Sequence, residues 1–420
     1  MSAPWLTLIG IGENGRDGLS AQANRLIDKA SFIIGGQRHL ALIGKTDSET
    51  MVWPQPFEQG IEAILARRGH ETLVLASGDP YFYGVGATLA KLIPAEEIET
   101  LPAPSAFSLT AAKLGWAMQD CTLISLHGRP FERIAPHLQP QAKLIALTWD
   151  GTKASKLASH LVANGMGQSL ITVCEALGGE RERMIKKTAQ AIHETQESFN
   201  TLNTLGVEIR ASRGAKLIPL ASGLADDLFE HDNQITKREI RAITLSSLEP
   251  LQGQLLWDIG AGSGSISIEW MLRHPSNRAI AIEPRSDRAQ RISRNALSLG
   301  VPDLKLIEGS APEALKNLAP PDAIFIGGGG TDPEVIDAAW RALPEGGRLV
   351  ANAVTIETQA DLMRRHVAMG GTLSKIEISR ADPVGPFHGW RASMPVMQWV
   401  IVKGAEKHPL LQLASDVNLA

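Results

Sequence analysis

The sequence predicts an α/β protein built from two different domains fused in tandem. Three observations predict it. Apolar strand-like runs alternate with helix-like stretches along the chain, glycine turns end several of those runs, and the two halves share no repeat. The chain has 420 residues, which suits two or three domains, and a hydrophobic share of 44% is enough to furnish their cores and argues against disorder.

In order, Trp5-Leu6-Thr7-Leu8-Ile9 reads as a buried strand running into Gly10-Ile11-Gly12. A helix over 19–30 and a strand over 32–34 follow, then a helix near 60–68 and a strand over 72–76 that ends at Ser77-Gly78-Asp79-Pro80. Further strands are expected at 122–126, 144–147, 170–174 and 207–211. This pattern implies a sheet covered on both faces. No regular pattern is sustained over 213–230, so the first domain is expected over 1–212, a linker over 213–230 and the second domain over 231–405. The second begins with an amphipathic helix over 236–248 and a strand over 254–259 ending in Gly260-Ala261-Gly262-Ser263-Gly264. Helices over 265–272 and 287–299 and strands over 279–282, 304–307, 323–326 and 347–352 complete the alternation. Two late strands, near 372–379 and 397–403, are joined by a Pro/Gly-rich loop and suggest an antiparallel hairpin closing the sheet.

Composition excludes several function classes. Lys+Arg is 41 against Asp+Glu 45, and both halves are slightly acidic, so neither carries the excess of a nucleic-acid binder. Two cysteines build no disulfide framework or Cys-rich metal site, which points to a reducing cytoplasm. Eleven histidines contain no His-Glu-x-x-His, so no metal is expected. The opening residues lack the basic stretch of a signal peptide, and no uncharged apolar run approaches the roughly 20 residues of a membrane span. A P-loop and a Gly-x-Ser-x-Gly elbow are also missing, which excludes the usual NTPase and hydrolase chemistries.

The strand–turn–helix around Gly260, Gly262 and Gly264 lets the backbone approach a ligand closely. Its G-x-G-x-G spacing departs from the dinucleotide fingerprint. Asp258, two residues before the first glycine, suits a cationic amino-acid moiety better than a pyrophosphate, and Glu283 at the next strand end can accept from two ribose hydroxyls. S-adenosylmethionine meets both demands; an NAD enzyme and a purely structural turn are the alternatives. Gly327-Gly328-Gly329-Gly330 ends a later strand and offers a flat ledge for a planar substrate, or a tight loop without a substrate role. Base-amino methyltransferases carry an Asn/Asp-Pro-Pro-aromatic tetrad there, and this chain does not. Arg285, Arg288, Arg291 and Arg294 recur on one helix, as a solvated face or as partners for substrate carboxylates. Lys237, Arg238 and Arg241 face the same choice, and Arg391 belongs to a loop able to cover a planar substrate.

Residues 230–239, the WDIGAGSGSISIEW stretch, Gly309-Ser310-Ala311-Pro312-Glu313-Ala314-Leu315 and AIFIGGGG together resemble the decarboxylating precorrin methyltransferase family of cobalamin synthesis, over roughly 220–405. The resemblance implies a Rossmann-like class I methyltransferase fold with Thr236, the Gly260–Gly264 turn (including Ala261 and Ser263), Glu283 and Ala311 at the cofactor. Ser310 departs from the Asp common in that class. LASGDPYFYGVG, PAPSAFSLTAAKLGW and SLHGRP resemble the tetrapyrrole methylases, specifically their precorrin C5-methyltransferase branch, over roughly 4–212. That resemblance implies a two-lobed fold with Gly10, Gly78, Asp79, Ser105 and Ala106 at a second cofactor, although an Asp-Pro pair also simply initiates turns.

Jointly the resemblances imply one S-adenosylmethionine per domain, C5 methylation by the first, and C15 methylation with loss of the C12 acetate carboxylate by the second. They also imply a tetrapyrrole partner, no nucleic acid or membrane, and a homo-oligomer. Methylation of a nucleic acid or of another small molecule is the alternative.

Overall fold

Residues 4–148, 150–328 and 332–404 are described by the structure, a computed structural model. The chain divides into two compact units, residues 1–131 with 137–217, and residues 132–136 with 218–420.

The first unit holds two five-stranded sheets. Its first sheet comprises β1 (Leu6–Ile11), β2 (Phe32–Gly35), β3 (Glu49–Val52), β4 (Thr72–Ser77) and β5 (Ile98–Leu101). Their order is β3-β2-β4-β1-β5 and every pairing is parallel. The central strands LTLIGI and TLVLAS are almost wholly buried because both faces are covered, as their continuous apolar runs require. The edge strands β3 and β5 escape a reading for apolar runs: they are short, partly exposed and carry Glu49 and Glu99.

A second, mixed sheet accompanies the first, in keeping with the two-lobed fold that the resemblance implies. It comprises β6 (Cys121–Ser125), β7 (Lys143–Leu147), β8 (Leu170–Glu175), β9 (Arg183–Thr188) and β10 (Asn203–Glu208), in the order β6-β7-β10-β8-β9. Only β6 and β7 run parallel. The last strand starts four residues before its expected place. Its first residues are polar, and Asn203 is buried with Oδ1 and the carbonyl both accepting from Thr148 Oγ1.

The second unit is one seven-stranded sheet with a separate hairpin. Its strands are β11 (Leu255–Ile259), β12 (Arg278–Glu283), β13 (Lys305–Glu308), β14 (Ala323–Ile326), β15 (Arg348–Ala353) and β16 (Thr372–Ile376). β17 (Ser379–Val384), β18 (Phe387–Ala392) and β19 (Val396–Val402) complete the set. The sheet order is β13-β12-β11-β14-β15-β19-β16; the first five are parallel and β19 is antiparallel to both neighbours. The expected antiparallel closure is therefore made by β16 and β19. The segment expected as a loop is itself a two-stranded hairpin, β17–β18.

Alternation along β11 builds a core on each face. Leu255, Trp257 and Ile259 enter one core with Ile324 and Ile326, and Leu256 enters the other with Phe325 and Trp270. Trp257, Trp270 and Trp399 are fully buried, and each indole N–H donates to a backbone carbonyl at 2.9–3.1 Å. Most of the 213–230 stretch belongs to this unit: Leu224 and Phe229 are core residues of it.

Candidate cofactor and substrate clefts

After β11 the chain builds β12 and β13 on one side, then returns to place β14 on the other. The crevice outside the carboxyl end of β11 is thus the topological switch point, where open α/β sheets bind ligands. The glycine turn occupies it. Gly260, Gly262 and Gly264 have φ of 71°, 61° and 75°, a region strained for any side chain. A Cβ on Gly260 would lie 2.6 Å from Gly328 Cα, and one on Gly264 would lie 2.9 Å from Ile292 Cγ2.

The turn is tied to the neighbouring strand. Gly260 and Ala261 N–H donate to Ile282 O at 3.0 and 3.1 Å, and Gly262 N–H donates to Glu283 Oε2 at 2.8 Å. The other Glu283 oxygen accepts from Arg285 N–H at 3.1 Å. Asp258 stands behind the turn, 1% exposed, with Oδ2 accepting from Ser267 N–H (3.1 Å) and Ser267 Oγ–H (2.6 Å). Its Oδ1 has no hydrogen-bond partner among the described residues. Burial pushes its pKa up to about 6 against the pull of Ser267, and the nearby Glu283 charge adds to the rise.

A cleft of about 540 Å³ opens in front of the turn, within the range of small-molecule sites. Of the expected residues it is lined by Thr236, Lys237, Gly260, Ala261, Gly262, Gly327 and Gly328. Asp258, Ser263, Gly264, Glu283 and Ala311 lie outside its lining; they hold the turn or pack behind it. Gly327 and Gly328 both direct N–H toward Ile259 O. Their φ values are not left-handed, so backbone conformation does not demand glycine at either position, and only Gly327 is required for space. A Cβ on Gly327 would lie 2.6 Å from Phe325 Cε1, whereas one on Gly328 meets nothing nearer than 3.4 Å. Gly329 and Gly330 lie outside the described residues.

Two expected substrate residues are corrected. Arg241 is completely buried and stacks over Phe229; its Nε donates to Glu269 Oε1 at 2.6 Å, and its other nitrogens donate to Asp226 Oδ1, Thr236 O and Leu224 O. Glu269 also accepts from Gly223 and Leu224 N–H. This network folds residues 223–226 onto the helix Arg238–Leu248, so Arg241 shapes the cleft without reaching it. Removing one partner of a buried ion pair costs about 3–5 kcal/mol. Arg241→Ala should lose that much in denaturant unfolding of the second unit, and a loss below about 1 kcal/mol would show the acids satisfied without it.

Arg391 is exposed and pairs with Asp382 across the hairpin at 3.1 Å, away from the cleft. Its register partner Arg380 lines the cleft instead, paired with Glu239.

Arg288 also lines the cleft, although as part of a face read as solvated. Arg288 and Arg291 both reach Asp232, at 3.0 and 3.1 Å. Burial opposes ionisation of Asp232, but hydrogen bonds from these arginines outweigh it and hold the carboxyl well below the usual range. The sequence reading missed Gln234, Asn352, Thr358, Met394 and Val396, which also line the cleft. Asn352 and Val396 sit at strand ends, Met394 in a loop, Thr358 in the helix Ile356–Met369 and Gln234 in the 230–239 stretch, and only the fold gathers them.

In the first unit, three backbone segments meet at the ends of β1, β4 and β5. Gly10 on β1 lies so close to the others that its Cβ would fall 1.8 Å from Gly78 O and 2.5 Å from Ala103 N. Gly78 has φ 58°; its N–H donates to Ile11 O at 3.1 Å and its carbonyl accepts from Ala103 N–H at 3.2 Å. Ser105 caps the helix Ala106–Leu114 by accepting from Ser108 N–H, and Asp79 Oδ1 accepts from Tyr81 N–H at 2.8 Å, a turn cap.

A pocket of about 90 Å³ adjoins this junction, lined by Gly12, Glu13, Arg38, Gly78, Ala106 and, from the second sheet, Cys174, Asn203 and Thr204. Gly10, Asp79 and Ser105 stand behind it. Arg38 pairs with Glu13 and donates to Ser77 Oγ at 2.8 Å. Burial and the Arg38 charge push His39 down to about 4. A guanidinium only donates, so the neutral His39 Nε2, 2.8 Å from Ser77 Oγ, accepts from that hydroxyl.

Comparison with known proteins agrees with this architecture. Residues 6–193 match the tetrapyrrole (corrin/porphyrin) methylases and residues 227–403 match the precorrin methyltransferase domain. The class is therefore a two-domain tetrapyrrole methyltransferase. A precorrin-6Y C(5,15)-methyltransferase [decarboxylating] from Sinorhizobium is 53% identical over 403 residues, 96% of this chain and 97% of that one. A cobalt-precorrin-7 C(5)-methyltransferase from Salmonella typhimurium is 34% identical over 46% of this chain and 94% of its own. A probable cobalt-precorrin-6B C(15)-methyltransferase (decarboxylating) from Saccharolobus solfataricus is 41% identical over 32% of this chain and 71% of its own. The chain belongs to the precorrin-6Y C(5,15)-methyltransferase [decarboxylating] family. Among the described residues no helix is long and apolar enough to cross a membrane.

Proposed function

We propose that each domain binds one S-adenosylmethionine, that the first methylates C5 of precorrin-6Y, and that the second methylates C15 and releases the acetate carboxylate as CO₂. The carrying observation is the second-unit cleft, where Gly260 and Gly262 present bare backbone at the switch point and the charged lining residues are Lys237, Arg288 and Arg380. Arg288 and Arg380 are held by Asp232 and Glu239, which lie outside the lining, and among the described residues no acid lines the cleft, so its cationic face favours a substrate rich in carboxylates. Relatives matching less than half of this chain, one named for C5 and one for C15 chemistry, support the division.

The cofactor supplies an electrophilic sulfonium methyl when bound. The chain supplies position: the ledge at Gly327 and Gly328 leaves room for a flat ring in a cleft that also presents Ile240, Ile266 and Phe325. No base is needed for attack by an enamine-like ring carbon. In the first unit, Gly10 and Gly78 bring backbone donors and acceptors to one point, and in the second the buried Asp258 carboxyl behind the turn would favour a cationic group bound in front of it.

Titration calorimetry of the full chain with S-adenosylmethionine tests this reading. Two sites per chain are expected, although the first-unit pocket of about 90 Å³ is below the usual 300–1,000 Å³ and must open to receive its ligand. A stoichiometry of one overturns the one-per-domain assignment.

A further inference from the structure

Asn352, near the end of β15, faces Gln398 of β19 directly across the antiparallel register. Gln398 Nε2 donates to Asn352 Oδ1 at 2.9 Å, and Asn352 Nδ2 donates to Thr244 Oγ1 at 2.9 Å. Thr244, fully buried, gives its own proton to Ile240 O at 2.8 Å, so its oxygen acts as acceptor for both amides. Ser247 Oγ holds the Gln398 oxygen at 2.7 Å. Each polar atom therefore has one assignment, and the Asn352 amide cannot flip without breaking two bonds. Its second N–H has no protein acceptor among the described residues, and Asn352 lines the cleft. Val354, Ile376, Met394 and Val396 line the same cleft, together with the polar Thr355, Thr358, Arg380 and Ser393. It lies two strands from the glycine turn, beyond β14, on the side away from β12.

We propose that Asn352 is a substrate-positioning residue: it donates its free N–H to the acetate carboxylate that is lost, with Gln398 and Thr244 orienting its amide. This rests on the reading that the second domain decarboxylates. One fixed donor places the carboxylate, and apolar side chains of the cleft displace part of its water; a less hydrated carboxylate loses CO₂ more readily because its charge disperses in the transition state. The bond from the methylene carbon to the carboxyl carbon breaks, CO₂ leaves, and the electron pair passes into the conjugated macrocycle. A solvent proton then completes the methyl group.

The test uses the full chain with precorrin-6Y and S-adenosylmethionine, measuring CO₂ released per methyl group transferred to C15. Asn352→Asp, which turns a donor into a repelling carboxylate, should lower that ratio about a hundredfold, the order expected of a misplacement near 1 Å. Gln398→Met, which leaves the amide free to rotate, should lower it less. S-adenosylmethionine affinity by calorimetry should stay within about twofold in both, because a positioning defect on this side spares the glycine turn. Asn352→Ser reads the same ratio if the Asp variant does not fold. Folded Asn352 variants with a wild-type ratio, or with both steps reduced in parallel, overturn the proposal. A wild-type chain that methylates without releasing CO₂ overturns the functional reading beneath it.

Discussion

Gly10→Ala is expected to remove more than about 3 kcal/mol from the first unit and to abolish one of two S-adenosylmethionine sites, leaving the other intact. The added Cβ would fall 1.8 Å from Gly78 O and 2.5 Å from Ala103 N. All these atoms are backbone, so no rotamer change relieves the clash. β1 must separate from the chain after β4 or from the chain after β5, and the Gly78–Ala103 hydrogen bond joins those two segments. Gly12→Ala is the control two residues away. There the nearest atom is Asn14 Oδ1 at 2.9 Å, on a side chain that can swing aside, and a loss within about 1 kcal/mol is expected. Unfolding by near-ultraviolet circular dichroism and calorimetry on the same samples reads both effects. A Gly10→Ala protein with the wild-type midpoint would show slack at this junction.

The sequence carried the central strands and turns far better than the margins, for a physical reason. Strands covered on both faces, such as LTLIGI and LLWDI, are predominantly apolar, and that signal survives without structure. The strand over 323–326 was placed to the residue for the same reason. Edge strands obey a weaker rule. In β9, Arg183, Lys186 and Lys187 keep the sheet edge soluble and erase the apolar run.

Helix Pro333–Ala342 went unread, although Asp332, Pro333 and Glu334 give a cap, a proline at the first position and an acidic first turn. Site residues divide in the same way. Gly10, Gly78 and Gly260 were readable because only glycine tolerates those approaches. Arg241 misled because an arginine beside a suspected cofactor residue has the same sequence appearance whether it points into a cleft or, as here, into a buried acid. Asn352 and Gln398 are 46 residues apart and meet only through the β15–β19 register, which no local pattern encodes.

Asp258→Asn should move stability and cofactor affinity in opposite directions. The carboxyl ionises at 3.8 ordinarily and at about 6 when folded, so between those values the native state holds a proton the unfolded chain has lost. Stability of the free protein therefore falls as pH rises from about 4 to about 6 and stays low above it. Asparagine keeps an oxygen to accept from Ser267 N–H and Oγ–H and carries no charge, so the variant should lose this slope. At pH 7 without cofactor it should be more stable than the wild type by at most about 3 kcal/mol, two pKa units at about 1.4 kcal/mol each.

Affinity moves the other way because the missing charge lies behind the turn that the cationic amino-acid end of the cofactor would face. A hydrogen bond or short contact to a charged group contributes about 1.5–3 kcal/mol, so the second-domain dissociation constant should rise roughly 10- to 150-fold while the first site is unchanged. Denaturant unfolding across pH 4–8 and calorimetry at pH 7 separate the two effects. If the variant is less stable at pH 7 and binds as tightly as the wild type, Asp258 is only an anchor for the helix through Ser267. If it gains stability and loses affinity, an ionised carboxylate is being held at a cost to the fold for the sake of the ligand.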